Sequence, residues 1–105
     1  MSYEDTITAL ADPTRRVIID RLRRGPLAVG AIADGMPISR PAVSQHLRVL
    51  SDAGLLTVTP SGNRRLYAIA PEGVEDLRRY LDTLWDDALA AFVQAAAEQA
   101  KGNPA

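Results

Sequence analysis

Residues 39–56, SRPAVSQHLRVLSDAGLL, decide the fold. Ser39 is a good N-cap, Pro41 is tolerated in a first helical turn, and Gly54 supplies a left-handed residue that ends the helix at about Ala53. Val43, Leu47 and Leu50 stand at i, i+4 and i+7, so they share one face and turn inward. Arg40, Pro41, Ser44, Gln45 and Arg48 are left on the opposite face, which has no acid before Asp52. Arginine can grip guanine O6 and N7, glutamine can pair with adenine N6 and N7, and serine can meet a phosphate or a base edge. An ordinary solvated face is the competing reading for such a helix in isolation. What precedes it shifts the balance: residues 29–35 read as a two-turn helix with Val29, Ile32 and Ala33 inward and a poor cap at Ala28, and Met36-Pro37-Ile38 makes a tight connection. Two helices joined by a short turn form a helix-turn-helix.

Working outward toward the N-terminus, Asp12-Pro13 is a helix start, with Asp12 as N-cap and Pro13 in the first turn. This helix is expected to run to about Arg24, to bury Val17, Ile18 and Leu22, and to stop at Gly25-Pro26. Arg15 or Arg16, near its start, can reach a phosphate, while most of the other arginines on it solvate its surface. A short helix over residues 3–10 precedes it, with Ile7 and Leu10 three apart.

Toward the C-terminus, residues 55–59 and 65–70 read as the strands of a hairpin around the turn residues Pro60-Ser61-Gly62-Asn63, with Pro71-Glu72-Gly73 closing it. Its tip offers Asn63, Arg64 and Arg65 to a phosphate backbone or a narrow minor groove. Successive strand residues point to opposite faces, so one of the two arginines is expected to reach DNA. From Val74 to about Ala100 the chain reads as one helix of ~40 Å. Val74, Leu77, Leu81, Leu84, Ala88, Ala91 and Ala95 form one apolar stripe on it, and Trp85, Leu89, Phe92 and Ala96 an adjoining one. So long and broadly apolar a helix exceeds what one small domain covers, and a partner chain is the expected cover. The expected architecture is mainly α with a β-hairpin wing: a winged helix-turn-helix of about five helices. Residues 1–100 make a single domain and 101–105 a frayed tail.

Composition excludes much else. The 105 residues include no cysteine, which removes disulfides, thiolate metal sites and thiol nucleophiles. No nucleophile, base and orienter occur together and no Gly-rich phosphate loop is present, so an enzyme is not expected, nor a cofactor. There is no long apolar run to span a membrane, and MSYEDTITAL carries two acids where a secretion signal needs bases; the absence of cysteine fits the reducing cytoplasm, which is the expected location. The net charge of -1 argues against a nucleic-acid binder until it is divided along the chain. Residues 12–65 hold nine arginines against Asp12, Asp20, Asp34 and Asp52, between acidic ends. The single histidine, His46, is expected to be packed or hydrogen-bonded, and Asp82, Asp86 and Asp87 to be a solvated acidic face. A lone imidazole cannot make a zinc site within one chain.

Together, ALADPTRRVIIDRL (9–22), the 39–56 stretch and GNRRLYAIAPEG (62–73) resemble the ArsR-type winged-helix transcriptional regulators, over about Ala9 to Leu89. The resemblance implies a homodimer that binds a palindromic stretch of double-stranded DNA and represses transcription, in some members of its own operon. Ser39, Arg40, Pro41, Ser44, Gln45 and Arg48 would then belong to the DNA-reading helix, and Asn63, Arg64 and Arg65 to the wing. Ile7 and Leu10 on the first helix, with Leu77, Leu81, Leu84, Trp85, Ala88, Leu89 and Phe92 on the last, would form the dimer interface. Metal-sensing members carry Cys on the third helix or His and Asp sets on the last. Here Val29-Gly30-Ala31-Ile32-Ala33-Asp34 has no Cys and the last helix no His, so no metal site is expected. Three other readings stand beside repression: activation, metal response through Asp82, Asp86 and His46, and a winged-helix module that docks a different protein through its long helix.

Overall fold

The computed structural model describes residues 3–102. Five helices and three short strands follow in the order α1 (Tyr3–Leu10), α2 (Pro13–Leu22), β1 (Leu27–Ala28), α3 (Val29–Ala33), α4 (Arg40–Asp52), β2 (Leu56–Ser61), β3 (Arg64–Ile69) and α5 (Pro71–Gly102). The fold is a winged helix-turn-helix.

The caps form as the local sequence dictates. The Asp12 carboxylate accepts the N–H groups of Thr14 at 2.8 Å and Arg15 at 3.3 Å, satisfying donors that the first turn of α2 leaves without partners. Ser39 Oγ accepts the Ala42 N–H at 3.2 Å at the head of α4. Gly54, at φ +81°, turns the chain out of α4 into β2.

Ile18, Leu22, Ile32, Val43, Leu47, Leu50, Leu55 and Leu56 form the centre of one core drawn from α2, α3, α4 and the start of the hairpin. Val17 departs from expectation. It is 43% exposed, because it stands one helical step from Ile18, which takes the core position. The second helix also ends at Leu22 rather than Arg24: the Arg23 N–H already bonds Asp20 O, and Gly25 follows at φ +142°. The third helix is shorter than expected, closing at Ala33 with Gly35 at φ +75°. Its last carbonyls are capped from α2, where Arg21 Nη1 donates to Ile32 O at 2.9 Å and to Asp34 O.

The hairpin strands reach further into the turn than residues 55–59 and 65–70 suggest. Ser61 pairs with Arg64, so only Gly62 and Asn63 form the loop, and Gly62 has the φ of +60° that such a loop requires. Pro60 lies within β2, an edge strand where its missing N–H is tolerated. The sheet has a third member, β1, in which Leu27 pairs with Tyr67 and Ala28 with Leu66. It ties the wing to α3.

Pro71-Glu72-Gly73 does not close the hairpin; it forms the first turn of α5, where Pro71 sits at a position that needs no N–H partner. This helix has 32 residues, about 48 Å at 1.5 Å per residue, and carries the described chain to an extent of 72 Å. It continues through Lys101 and Gly102, where a frayed tail was expected; Asn103, Pro104 and Ala105 lie outside the described residues. None of its residues is fully buried, and its packing within the chain is mainly against α1. Near its start Gly73 meets the α4–β2 junction so closely that a Cβ there would overlap the Gly54 carbonyl oxygen.

Candidate nucleic-acid interface

The polar face of α4 is presented by its buried one. Val43, Leu47 and Leu50 are fully enclosed, which fixes the helix in rotation and leaves Arg40, Pro41, Ser44, Gln45 and Arg48 exposed. The Ser39 side chain serves as the cap. Arg48 Nε lies 3.9 Å from Asp52 Oδ2 with both side chains more than three-quarters exposed, a pairing weak enough to yield to a phosphate or base.

The wing brings its tip to the same side. Arg40 and Ser44 from α4 and Asn63, Arg64, Arg65 and Tyr67 from the wing line one cavity of about 510 Å³, completed by backbone and small side chains of residues 28–31. Both Arg64 and Arg65 border this cavity. Pro41, Gln45 and Arg48 lie outside it, further round the face of α4. Sequence reasoning missed two contributors. Tyr67 falls in the second strand of the expected hairpin and Gly30 in the poorly capped helix over 29–35, and neither stands out as part of a site. In the fold the Arg40 guanidinium lies across Gly30, where a Cβ would stand 2.8 Å from Nη2. A glycine within a helix of two turns is the signal that marks such a close approach.

Three of the nine arginines in residues 12–65 are committed elsewhere. Arg15 donates from Nε to Ala9 O at 2.6 Å and from Nη2 to Thr8 O at 3.4 Å, while its Nη1 stands 3.4 Å from His46 Nδ1 and 3.8 Å from Asp12 Oδ2. Arg16 donates from Nη1 to Leu10 O at 2.8 Å and Ala11 O at 3.1 Å. These two cap the C-terminus of α1, and Arg21 does the same for α3, so each has a structural role within the chain. The arginine excess is a smaller reading surface than its count implied: Arg40, Arg64 and Arg65 around the cavity, with Arg48 beyond.

His46 is half-buried between α4 and Arg15. Partial desolvation of the Asp12 carboxyl opposes its ionisation, but the N–H groups of Arg15 and Thr14, the Arg15 guanidinium and the charged form of His46 outweigh that and hold its pKa below the usual 3.8.

The proposed interface residues divide. Ile7, Leu81, Leu84, Trp85, Ala88, Leu89 and Phe92 are exposed, Trp85 and Phe92 to 65% and 70%. Leu10 packs against the chain's own core and Leu77 is half-buried. Val93, which the stripe reading omitted, is exposed beside Phe92. Among the described residues no three His, Cys, Asp or Glu side chains gather as a metal site. No helix among the described residues is long and apolar enough to cross a membrane.

The comparisons agree with this geometry. A family described as a helix-turn-helix domain matches residues 10–59. The chain is 54% identical over 86 residues to the HTH-type transcriptional regulator Rv2034 of Mycobacterium tuberculosis, covering 82% of this chain and 80% of that one. It is 31% identical over 87 residues to the arsenical resistance operon repressor of Staphylococcus xylosus, covering 80% and 84%. Among solved structures it resembles, with a TM-score of 0.65 and 32% identity over 80% of this chain and 78% of the other, the homodimeric winged helix-turn-helix DNA-binding domain of Mb0332 from Mycobacterium bovis, a possible ArsR-family transcriptional regulator. This chain belongs to the ArsR family of transcriptional regulators.

Proposed function

We propose that the protein is a cytoplasmic homodimeric repressor that binds an inverted repeat in promoter DNA, its own included, and that its work is binding rather than catalysis. The observation that carries this reading is the arginine-lined cavity between α4 and the wing, which suits a DNA backbone passing between the two. Gln45 and Arg48, outside the cavity, would read base edges, while Arg40, Arg64 and Arg65 hold phosphates and fix the register. The exposed apolar side chains of α5, together with the homodimeric relative from M. bovis, support pairing of two chains. A two-fold axis sets two copies of α4 into successive major grooves about 34 Å apart. The staphylococcal relative, an operon repressor, supports the sign of regulation. Because neutralised phosphates supply the affinity, binding should fall steeply with salt. The test is an electrophoretic mobility shift on the gene's own upstream region. A retarded band of dimer stoichiometry, lost as salt rises, is the expected result; no retardation of any promoter fragment at low salt would overturn the reading.

A further inference from the structure

A second cavity, of about 620 Å³, opens where the end of α2, the base of the wing and the first turns of α5 meet. Its floor is apolar, made by Leu22, Ile69 and Val74, and its mouth is cationic, flanked by Arg24 from the α2–β1 turn and Arg78 from α5. Among the described residues neither guanidinium has an ion-pair or hydrogen-bond partner. Arg23, beside them, meets only Asp20 at 3.9 Å, with both side chains about 70% exposed. Arg23, Arg24 and Arg78 thus line the cavity with Glu75 as the one acid among its lining residues, while Asp20 stands beside Arg23 just outside it.

Like charges held together over an apolar floor are relieved by an anion, and the guanidinium fork matches a carboxylate better than it matches any neutral group. The volume lies within the range of roughly 300–1,000 Å³ of small-molecule sites. Ile69 stands five residues along β3 from Arg64, about 17 Å at ~3.3 Å per residue, so an occupant leaves the wing tip free. We propose that this cavity is a binding site for a small amphipathic organic anion, a carboxylate head between Arg24 and Arg78 with its hydrocarbon body over Leu22, Ile69 and Val74. The site goes beyond DNA binding and does not depend on it. Such an occupant would touch the end of α2, the base of the wing and the long helix at once.

The experiment titrates the full chain with decanoate, followed by heteronuclear NMR, with acetate and decylamine as probes of head alone and of opposite charge. Decanoate is expected to saturate, shifting resonances of Leu22, Ile69 and Val74, and to bind about tenfold or more tightly than either control. The exposed double substitution R24E/R78E should weaken decanoate by about tenfold or more and favour decylamine instead, with R24Q/R78Q intermediate. Equal binding of decanoate and decylamine, unaltered decanoate binding in R24E/R78E, or shifts confined to Leu81–Phe92 would each overturn the site, the last because a bare apolar stripe would then be the receptor. No DNA enters the experiment, so its failure is distinct from failure of the repressor reading.

Discussion

Nη1 of Arg15 stands 3.4 Å from Nδ1 of His46, so a side chain rooted in α2 reaches the helix that carries Ser44, Gln45 and Arg48. The same guanidinium holds the carbonyls of Thr8 and Ala9 at the end of α1. Three helices are therefore joined at one residue. Whatever displaces α1 pulls on a group in contact with α4.

Arg15→Ala should accordingly cost about 1–3 kcal/mol of stability, because it strips a charged donor from the part-buried Ala9 carbonyl and breaks the contacts with His46 and Asp12. Urea unfolding measures the loss. Arg16→Ala, whose bonds are exposed, should cost less, and equal losses would mean that the contacts with α4 and Asp12 contribute nothing.

The Asp12 cap makes stability depend on pH. Its folded pKa lies below 3.8, so the stabilisation is fully present above that value and is lost as pH falls through the lower, folded one. Wild type should therefore melt above Asp12→Ala at neutral pH, with the gap narrowing once the pH drops below 3.8. A gap that stays constant down to pH 2, on the order of two units below the ordinary carboxylate value, would disprove the role of the ionised carboxylate.

On the reading face, Gln45→Ala should lose about 1–3 kcal/mol of operator affinity and relax sequence preference, whereas Arg64→Ala should weaken all sequences more evenly and flatten the salt dependence. Mobility shifts on matched and scrambled duplexes separate the two effects.

For assembly, Leu81→Asp or Leu84→Asp should yield monomers by sedimentation. Trp85 fluorescence should shift to the red in the same variants, because the indole is 65% exposed in a single chain. A dimer that survives both changes would place the interface elsewhere.

Ser51 Oγ is buried and, among the described residues, has no hydrogen-bond partner. Ser51→Ala should therefore stabilise the fold by about 1 kcal/mol, seen as a higher urea midpoint. A lower midpoint would reveal a partner for the hydroxyl.

Much of this was legible in the sequence for local reasons. Val43, Leu47 and Leu50 set the orientation of α4 by spacing alone, and Asp12 and Ser39 announced their helices by cap chemistry. β1 was not legible: two residues carry no alternation, and Leu27 and Ala28 are extended only because β3 pairs with them. Pro71 was misread because Pro-Glu-Gly suits a turn as well as a first helical turn, and what decides is the seat of Gly73 against Gly54. The sorting of arginines is likewise tertiary. Arg15, Arg16 and Arg40 look alike in the chain, and only the packing of α1 over α2 turns the first two toward carbonyls while Arg40 stays at the cavity. The candidate site was therefore legible on α4 and at the tip, but the enclosure linking them through Gly30 and Tyr67 was not.

The contact between Gly73 and Gly54 gives α5 the mechanics of a lever. Its fulcrum lies at the exit of α4, and from there to Gly102 the arm measures about 44 Å at 1.5 Å per residue. A tilt of about 5° about that fulcrum would carry the far end through about 4 Å on the same helical dimensions, while atoms beside it move by a fraction of that. Any such tilt is thus scaled down steeply between the far end of α5 and the exit of α4, the helix that carries Ser44, Gln45 and Arg48.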